Sequence, residues 1–355
     1  MTRARIAIIA GDGIGPEVID AGLPVIEAAA RSEGLALDVE RLPWSAEHYL
    51  RTGETLPDEA FEHLRNDVDA ILLGALGDPR VPGNEHARDI LLGLRFRLDL
   101  YINFRPTRLF HPRLSPLRAD RRTDGGSTAI DFVIFRENTE GQYLGKGRSE
   151  SMGTPDEVQV SEEINSRKGV ARIIEAAFAW AAERGKTRVT MSDKSNAIPF
   201  QRIWGRLFQE IGERYPGIQR EHRYVDALAL ELVREPERFQ VIVTTNLYGD
   251  ILSDLGAGLI GGLGIAASAN LHPGRAGLFE PVHGSAPPLA GKGVANPMAT
   301  VLTGALMLEQ LGCTAGSARL ERAVERVAAT GPLTVDLGGG GSTADVARAL
   351  MQALA

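Results

Sequence analysis

Apolar runs and amphipathic stretches alternate along most of the 355-residue chain. The apolar run at residues 5–10 predicts a first buried strand. The stretch at 16–31 predicts the helix that follows, with a proline well placed in its first turn. A short buried strand at 70–74 and a helix at 168–183 continue the same alternation. Alternating strands and helices predict an α/β protein.

The remaining elements follow the same rules. Further strands are predicted at 35–41, 100–104, 129–135, 188–191, 219–225 and 239–245, and further helices at 58–65, 87–98, 200–215, 255–264, 298–310 and 317–330, with a last helix from Thr343. Residues 113–127 and 268–297 are predicted to be loops. The polar stretch 145–165 is too long for an ordinary connection, so it is predicted to be a loop or an arm that packs on another subunit. Its alternating piece, 157–160, could be an arm strand.

Composition is ordinary for a globular protein, with 43% hydrophobic and 24% charged residues. The length favours two domains or one large two-lobed unit. A net charge of -7 argues against nucleic acid or an anionic membrane as the main partner, but allows a local basic pocket for an anionic substrate. The single cysteine, Cys313, excludes an intrachain disulfide and fits a reducing cytoplasm. No targeting segment is predicted.

Two carboxylates four residues apart, Asp250 and Asp254, follow the buried strand at 239–245. A helix is predicted to begin after Gly249, and on a helix the two side chains would share one face. Oxygen ligands of this kind suit Mg2+ or Mn2+. The alternative is that Asp250 interacts with the helix N-terminus while Asp254 is solvated. Asp226, which follows another strand, is either a third metal ligand or a helix N-cap.

Three arginines, Arg95, Arg105 and Arg136, flank polar loops. Arginine binds a carboxylate through two charge-assisted hydrogen bonds, so convergent arginines suit a substrate with several carboxylates. Each could instead form a surface ion pair. Lys194, in a loop after a strand, could serve as a base or be solvated, and Tyr143 could donate a proton or belong to the core or arm.

The first loop, GDGIGPE, contains Gly11, Gly13 and Gly15, which do not follow G-x-G-x-x-G. The usual argument for a Rossmann dinucleotide site therefore fails, although a tight turn near a ligand remains plausible. Near the other end of the chain, His283 and its small neighbours form a loop whose backbone could approach an adenosine phosphate.

Five stretches together resemble one family: GDGIGPE, RENTEGQY, SDKSN, NLYGDILSD and EPVHGSAP. In this order and spacing they are similar to the β-decarboxylating dehydrogenases, the family of isopropylmalate, isocitrate, homoisocitrate, tartrate and D-malate dehydrogenases. The resemblance covers about residues 5–350. It implies a two-domain open α/β sheet of the isocitrate/isopropylmalate dehydrogenase type, without a Rossmann site. Residues 1–100 and 261–355 would form a cofactor-side domain, and 101–260 the substrate and dimerisation domain, with an arm at 145–165.

The resemblance also implies a reaction and an active homodimer with shared sites. A 2-hydroxy acid gives its hydride to a nicotinamide, and the 2-oxo acid then loses its β-carboxylate while a divalent ion acts as a Lewis acid. Lys194 would remove the hydroxyl proton and Tyr143 would protonate the enol carbon. Mg2+ or Mn2+ would be held by Asp226, Asp250 and Asp254, with Asp226 and Lys194 contributed by the partner subunit. Substrate contacts are implied for Arg95, Arg105, Arg136, Leu91, Leu92 and Asp226. Cofactor contacts are implied for Ile14, Gly74, Ala75, Asn196, Glu280, His283, Gly284, Ser285, Ala286, Leu289 and Asn296.

The substrate choice follows from the helix before Arg95. Isocitrate enzymes place Ser and Asn there, whereas this chain has Leu91 and Leu92, which would bury an alkyl substituent. They resemble the pocket of isopropylmalate dehydrogenases but also occur in tartrate and D-malate enzymes. Arg88 stands where many isopropylmalate enzymes carry a glutamate near the nicotinamide, which is a departure from their pattern. The whole stretch looks like actinobacterial-type isopropylmalate dehydrogenases.

For the cofactor, Pro288-Leu289 provides neither the acid of NAD-using relatives nor the Lys-Tyr of NADP-using ones. NAD is favoured because no cation for a 2′-phosphate is evident. A rival from another class is a regulatory subunit that keeps the fold without catalysis. That reading is disfavoured because the tyrosine, the lysine, the three arginines and the three aspartates are all present.

Overall fold

The computed structural model describes residues 2–117 and 129–354. Most of the predicted polar loop at 113–127 lies outside these ranges. Among the described helices, none has both the length and the apolar character needed to span a bilayer.

Strands and helices alternate as the sequence predicts. The strands are β1 (Thr2–Gly11), β2 (Leu35–Leu42), β3 (Ala70–Ala75), β4 (Ile102–Arg108), β5 (Asp131–Glu137), β6 (Gly147–Glu150), β7 (Val158–Ser161), β8 (Arg188–Asp193), β9 (Gln219–Tyr224), β10 (Val241–Thr244), β11 (Ala267–Leu271) and β12 (Gly277–Pro281). The helices are α1 (Gly15–Ser32), α2 (Ala46–Thr52), α3 (Asp58–Asn66), α4 (Glu85–Ala87), α5 (Gly93–Arg97), α6 (Arg167–Glu183), α7 (Arg202–Gly212), α8 (Val225–Arg234), α9 (Asn246–Ile260), α10 (Met298–Gln310), α11 (Thr314–Thr330) and α12 (Thr343–Ala353). A π-helical turn, Arg88–Leu92, joins α4 to α5.

The chain divides into two compact units. The first unit is the described part of Met1–Leu100, Arg105–Ile130 and Gly256–Ala355, and the second is Tyr101–Phe104 with Asp131–Leu255. In the first unit the strand order is β2-β1-β3-β12-β11, parallel except for the antiparallel pair β11 and β12. In the second unit the order is β5-β10-β8-β9, and all neighbours are parallel.

The unit boundaries differ in two places from the predicted division, which assigned all of residues 101–260 to one domain: residues 256–260 and the described residues of Arg105–Ile130 belong to the first unit. Residues 105–117 belong to the first unit because arginines there bind α11. Arg108 pairs with Glu321 at 2.8 Å, and the guanidinium of Arg113 donates to the carbonyl of Val327 at 3.1 Å. Strand β4, whose residues are divided between the units, also continues to Arg108, beyond its predicted end at 104.

Two local predictions were wrong, and one short strand was not predicted. The stretch 268–297 is not one long loop, because β11 and β12 pair across 267–281; β11 is rich in small residues buried on both faces, and such a strand shows no alternation. Helix α9 begins at Asn246 rather than after Gly249, and it runs without a break to Ile260. The arm strand β7 pairs antiparallel with β6, which is exposed throughout and was not predicted.

The core of each unit explains why its strands form. In the first unit, Ile71 and Leu73 of β3 and Ile9 of β1 pack with Ile90 and Leu94 from the segment that follows. Burying such side chains removes apolar area from water at roughly 25 cal/mol per Å2. The carboxyl ends of the parallel strands then meet at one edge of each unit's sheet, where α/β enzymes place their chemistry.

Candidate active site

In the second unit, Arg136 at the end of β5 is bonded to residues of α9. The residue is 1% exposed, and its Nε and one terminal nitrogen donate to the Asn246 Oδ1 atom at 3.0 and 2.7 Å. The other terminal nitrogen donates to the Asp250 carboxylate. The Tyr143 hydroxyl donates to the second oxygen of Asp250 at 2.7 Å. Asp250 therefore shares its two oxygens between a buried cation and a phenol, which satisfies the guanidinium away from water.

This contact depends on Gly249. A Cβ atom at position 249 would lie 2.5 Å from the Cβ and Cγ atoms of Arg136, closer than packed carbon atoms approach. The absence of a side chain therefore lets α9 approach the arginine stem. The Asn246 amide also donates to the Glu140 carbonyl at 2.9 Å, which connects α9 to the segment that carries Tyr143.

Lys194 and Asp226 form an ion pair in the same unit. Lys194 follows β8 directly, Asp226 lies in the first turn of α8, and the Lys194 Nζ atom is 2.5 Å from the Asp226 Oδ1 atom. The hydrogen bond from the ammonium lowers the pKa of the Asp226 carboxyl. Both residues were predicted to be contributed by the partner subunit to a shared site. Within one chain they contact each other, so one subunit would contribute them together.

The predicted metal ligands are only partly together within one chain. Asp250 and Asp254 lie one turn apart on α9, as their spacing predicts, whereas Asp226 is engaged by Lys194. In the part of the chain that the structure describes, no group of three His, Cys, Asp or Glu residues could hold a metal ion. The oxygen donors on α9 fit Mg2+ or Mn2+ chemically, but a complete site needs at least one further ligand.

In the first unit, the predicted cofactor residues meet at the ends of β1 and β3. The Ile14 N–H group donates to the Ser285 carbonyl at 2.8 Å, and the Asp12 N–H group donates to the Ala75 carbonyl at 2.7 Å. Ile14 also packs in a small apolar cluster with Ala286. The contacts are close: a Cβ atom on Gly13 would lie 1.9 Å from the Ser285 carbonyl oxygen. We call Gly11–Gly15 with Ala75 and Ser285 the backbone cradle.

Gly74, another predicted cofactor residue, adjoins this cradle, because a Cβ atom there would lie 2.2 Å from the Ala10 carbonyl oxygen. Ala286 adopts a left-handed φ of 40°, which is rare for a residue with a side chain and frequent at functional sites. The Nε2 atom of His283 is buried and has no hydrogen-bond partner within residues 2–117 and 129–354. Burial lowers the pKa of the His283 ring. An unsatisfied ring nitrogen beside exposed backbone suits a polar ligand such as a dinucleotide.

Arg95 and Glu280 form a buried pair. A terminal nitrogen of Arg95 donates to the Glu280 Oε1 atom at 2.6 Å, and the Asn270 amide donates to the same oxygen at 2.9 Å. The Arg95 Nε atom has no hydrogen-bond partner among the described residues. One donor of this arginine is thus available to a ligand. Arg105, on β4, is also buried.

The remaining predicted residues occupy different environments. Leu91 and Leu92 lie half-buried on the π-helical turn, and Leu91 packs against the core. Asn196, Gly284 and Leu289 are exposed. Asn296 is buried: its Oδ1 atom accepts the Met298 N–H group at 3.0 Å, and its amide donates to Asp336 at 3.1 Å. Asn296 therefore supports the start of α10.

Sequence reasoning missed two groups that organise these residues. Asn246 holds the Arg136 guanidinium, and the only signal for it was its position at the start of NLYGDILSD. Asp12 accepts hydrogen bonds from the N–H groups of Ala46 at 2.6 Å and Gly77 at 2.8 Å, and its Oδ2 atom lies 2.8 Å from the Nε2 atom of the fully buried His86. Nothing in the local pattern pairs residues 12 and 86.

Comparison with known proteins identifies relatives that match most of the chain. Residues 5–350 match the isocitrate/isopropylmalate dehydrogenase family. The chain belongs to this family. It is accordingly a β-decarboxylating dehydrogenase with a mixed α/β fold, and the family and fold expected from the five motifs are confirmed.

Individual members of the isocitrate/isopropylmalate dehydrogenase family are similar to this chain over most of their length. The 3-isopropylmalate dehydrogenase of Thermobifida fusca is 45% identical over 323 residues, which is 90% of each chain. That of Mycobacterium tuberculosis is 44% identical over 331 residues, covering 92% of this chain and 94% of the relative. A crystal structure of isocitrate dehydrogenase from Methylococcus capsulatus has a TM-score of 0.87 at 37% identity and covers 99% of both chains.

Proposed function

We propose that this dehydrogenase oxidises and decarboxylates 3-isopropylmalate to 2-oxoisocaproate, with NAD as the hydride acceptor. The observation that carries the proposal is the pair Leu91 and Leu92, half-buried one turn before the buried Arg95. An isopropyl group against two leucines loses water-exposed area, whereas a hydroxyl or carboxylate there would be desolvated without a partner. The similarity to the 3-isopropylmalate dehydrogenases of Thermobifida fusca and Mycobacterium tuberculosis supports the same substrate.

The roles of the charged residues follow from their contacts. Arg95, Arg105 and Arg136 would bind the two carboxylates of the substrate, because buried guanidiniums favour bidentate carboxylate partners. In its neutral form, Lys194 would accept the hydroxyl proton, and the Asp226 carboxylate beside it would stabilise the ammonium that results. Tyr143 would donate a proton to the enol carbon after CO2 leaves; its hydroxyl is 2.7 Å from an oxygen of Asp250, the carboxylate proposed to hold the cation.

Two bound groups complete the proposal. When bound, NAD accepts the hydride and Mg2+ or Mn2+ supplies Lewis-acid stabilisation of the developing negative charge. Asp250 and Asp254 would hold the cation together with Asp226 of a second copy. The backbone cradle would hold NAD, with Ile14 and Ala286 offering apolar surface and His283 a ring nitrogen.

A homodimer with shared active sites accounts for several exposed apolar side chains of the second unit. Leu230 and Val233 on α8 are 58% and 42% exposed, and Ile251 on α9 is 56% exposed. Leu230 and Val233 are three residues apart on α8 and so share one face, and exposed apolar groups that lie together in this way favour an interface. The exposed pair β6 and β7 provides a second candidate contact as the dimer arm.

The test is a substrate panel. The purified protein is assayed with Mn2+ and NAD, then NADP, on 3-isopropylmalate, D-malate, tartrate, isocitrate and homoisocitrate. The proposal expects the highest kcat/KM with 3-isopropylmalate and NAD. A higher value with D-malate or tartrate would reassign the substrate, a higher value with NADP would reassign the cofactor, and turnover of none would indicate a differently substituted malate. Sedimentation in the same buffer tests the dimer.

A further inference from the structure

Gln201 fixes the backbone of Lys194. This glutamine ends a short 3-10 turn, Pro199–Gln201, and is 1% exposed. Its Oε1 atom accepts the Lys194 N–H group at 2.7 Å. The Lys194 carbonyl in turn accepts the N–H groups of Ala197 and Ile198 at 2.9 and 2.8 Å. Both backbone polar groups of Lys194 are therefore held, which fixes the direction in which its side chain leaves the chain.

The orientation of the Gln201 amide is set by Glu163. The Gln201 Nε2 atom donates to both carboxylate oxygens of Glu163 at 2.9 Å and to the Tyr248 hydroxyl at 3.3 Å. An amide has donors on one side and an acceptor on the other. Because a carboxylate only accepts, the NH2 group must face Glu163, and the oxygen is then directed at Lys194.

Glu163 and Tyr248 belong to different segments. Glu163 follows the arm strand β7 by two residues, and Tyr248 lies in the first turn of α9, two residues before Asp250. Gln201 thus joins the end of the arm and the start of α9 to the backbone of one lysine. All of these residues belong to the second unit.

We infer that Gln201, oriented by Glu163, is a positioning residue for Lys194. The inference rests on the proposed function, in which Lys194 takes the hydroxyl proton. The Lys194 Nζ atom lies 2.5 Å from Asp226 in the arrangement that Gln201 holds. Rotation of the Lys194 backbone would displace that amine, and a displacement of about 1 Å can cost on the order of 100-fold in rate.

The kinetic test exchanges the amide and the carboxylate. Q201E puts two carboxylates within about 3 Å, where they cannot both ionise without strong repulsion, so the hydrogen bonds break. We expect kcat for the preferred substrate to fall by about 30-fold, with KM for NAD changing by less than about twofold. The double variant Q201E/E163Q again pairs an amide with a carboxylate, and should recover kcat to within about threefold of wild type.

A second measurement does not depend on the reaction. Lys194 and Lys186 are similarly exposed, at 25% and 27%, and each is ion-paired. At one fixed pH, without substrate or metal, amine acylation read by peptide mass spectrometry gives their relative reactivity. Displacement from Asp226 should raise the Lys194 to Lys186 ratio at least about threefold in Q201E, and the double variant should restore it.

Gln240 offers a matched control at the opposite end of the same strand. Its Oε1 atom accepts the N–H groups of Thr187 and Arg188 at 2.9 and 3.1 Å, next to the start of β8. Q240E makes the same substitution at the same kind of contact, and should leave both kcat and the acylation ratio unchanged.

The outcomes separate the inference from the proposed function. If Q201E folds and keeps wild-type kcat and acylation ratio, or if the double variant remains as impaired as Q201E, the inference is wrong. If Q201E does not fold, the single variant E163Q, which frees the amide to rotate, must itself raise the acylation ratio. If wild type turns over no substrate of the panel, the proposed function fails, while the acylation ratio still decides whether Gln201 positions Lys194.

Discussion

The charged cluster of the second unit and the backbone cradle of the first are built in opposite ways. In the cluster, Arg136, Tyr143 and Asp250 are matched donor to acceptor, so side chains hold one another. In the cradle, main-chain groups contact each other, and the important feature is that Gly13 has no side chain. We therefore expect the cluster to be disrupted by removing a side-chain group, and the cradle by adding one.

The largest effect is expected from removing the amine of Lys194, which pairs with Asp226 in the same unit. Lys194→Ala should lower kcat by about 1,000-fold or more, because general-base catalysis contributes about 100- to 10,000-fold. Lys186→Ala is the control: that lysine is similarly exposed and pairs with Asp131 at 3.6 Å. Steady-state oxidation rates measure both. Equal rates in the two variants would show that the amine of Lys194 has no special role in the reaction.

Adding one carbon to the cradle should have the next largest effect. In Gly13→Ala the new Cβ atom meets the Ser285 carbonyl at 1.9 Å, and φ is 57°. The left-handed conformation alone costs roughly 1–2 kcal/mol, and the collision adds to it. We expect a lower Tm and weaker NAD binding by calorimetry. Gly53→Ala separates the two causes, since Gly53 has φ of 73° and open space around it; a similar loss of NAD binding there would disprove the role of close contact.

Removing one hydroxyl from the cluster should have a smaller effect. Tyr143→Phe deletes the donor to Asp250 and, in the proposed reaction, the proton for the enol carbon. Overall turnover should fall by about 100-fold, while hydride transfer in a single turnover changes less. Tyr215→Phe is the control, because its hydroxyl also donates to a carboxylate, that of Glu175, at 2.5 Å. Near-normal overall turnover in Tyr143→Phe would overturn the assignment.

The smallest effect is expected from His283, beside the cradle, whose titration makes stability depend on pH. Burial lowers the pKa of His283 below its usual value of about 6.5, so the folded state binds the proton less well than the unfolded state. The stability it contributes is complete above that value and is lost as pH falls below it. His283→Gln should flatten the decline of the urea midpoint between about pH 7 and 5.

His63 should change stability with pH in the opposite direction from His283. A hydrogen bond to Glu40 raises the pKa of His63, so its contribution is complete below the usual histidine value and is lost as pH rises through the raised pKa. His63→Gln should therefore alter the alkaline side of the profile. The same direction of change in both variants would contradict the assigned causes.

The sequence predicted the elements better than the contacts between them. Helix α10 has its predicted bounds because apolar periodicity is a local property, whereas β11 was missed because its small residues lack alternation. The i, i+4 placement of Asp250 and Asp254 could be derived from spacing alone. The bond from Arg136 to Asp250 could not, because it joins residues 114 positions apart through the parallel order of β5 and β10.

The orientation of the Gln201 side-chain amide was even harder to predict from the sequence. The sequence places Gln201 at the start of a predicted helix, and only the fold shows that a carboxylate on one side directs its oxygen to Lys194. Propensity describes the backbone of a segment, while such a relay depends on three segments meeting.

The Asp12 carboxylate has a consequence for local opening of the first unit. The amides of Ala46 and Gly77 both end on this buried carboxylate beside His86, at the margins of regular structure. Amide hydrogens at such positions normally exchange with solvent through small fluctuations. Here, exchange requires the carboxylate to release its partners, so both amides should be protected like those of a central strand. We therefore expect the loops at this edge to open together with the slowest-opening cooperative part of the unit.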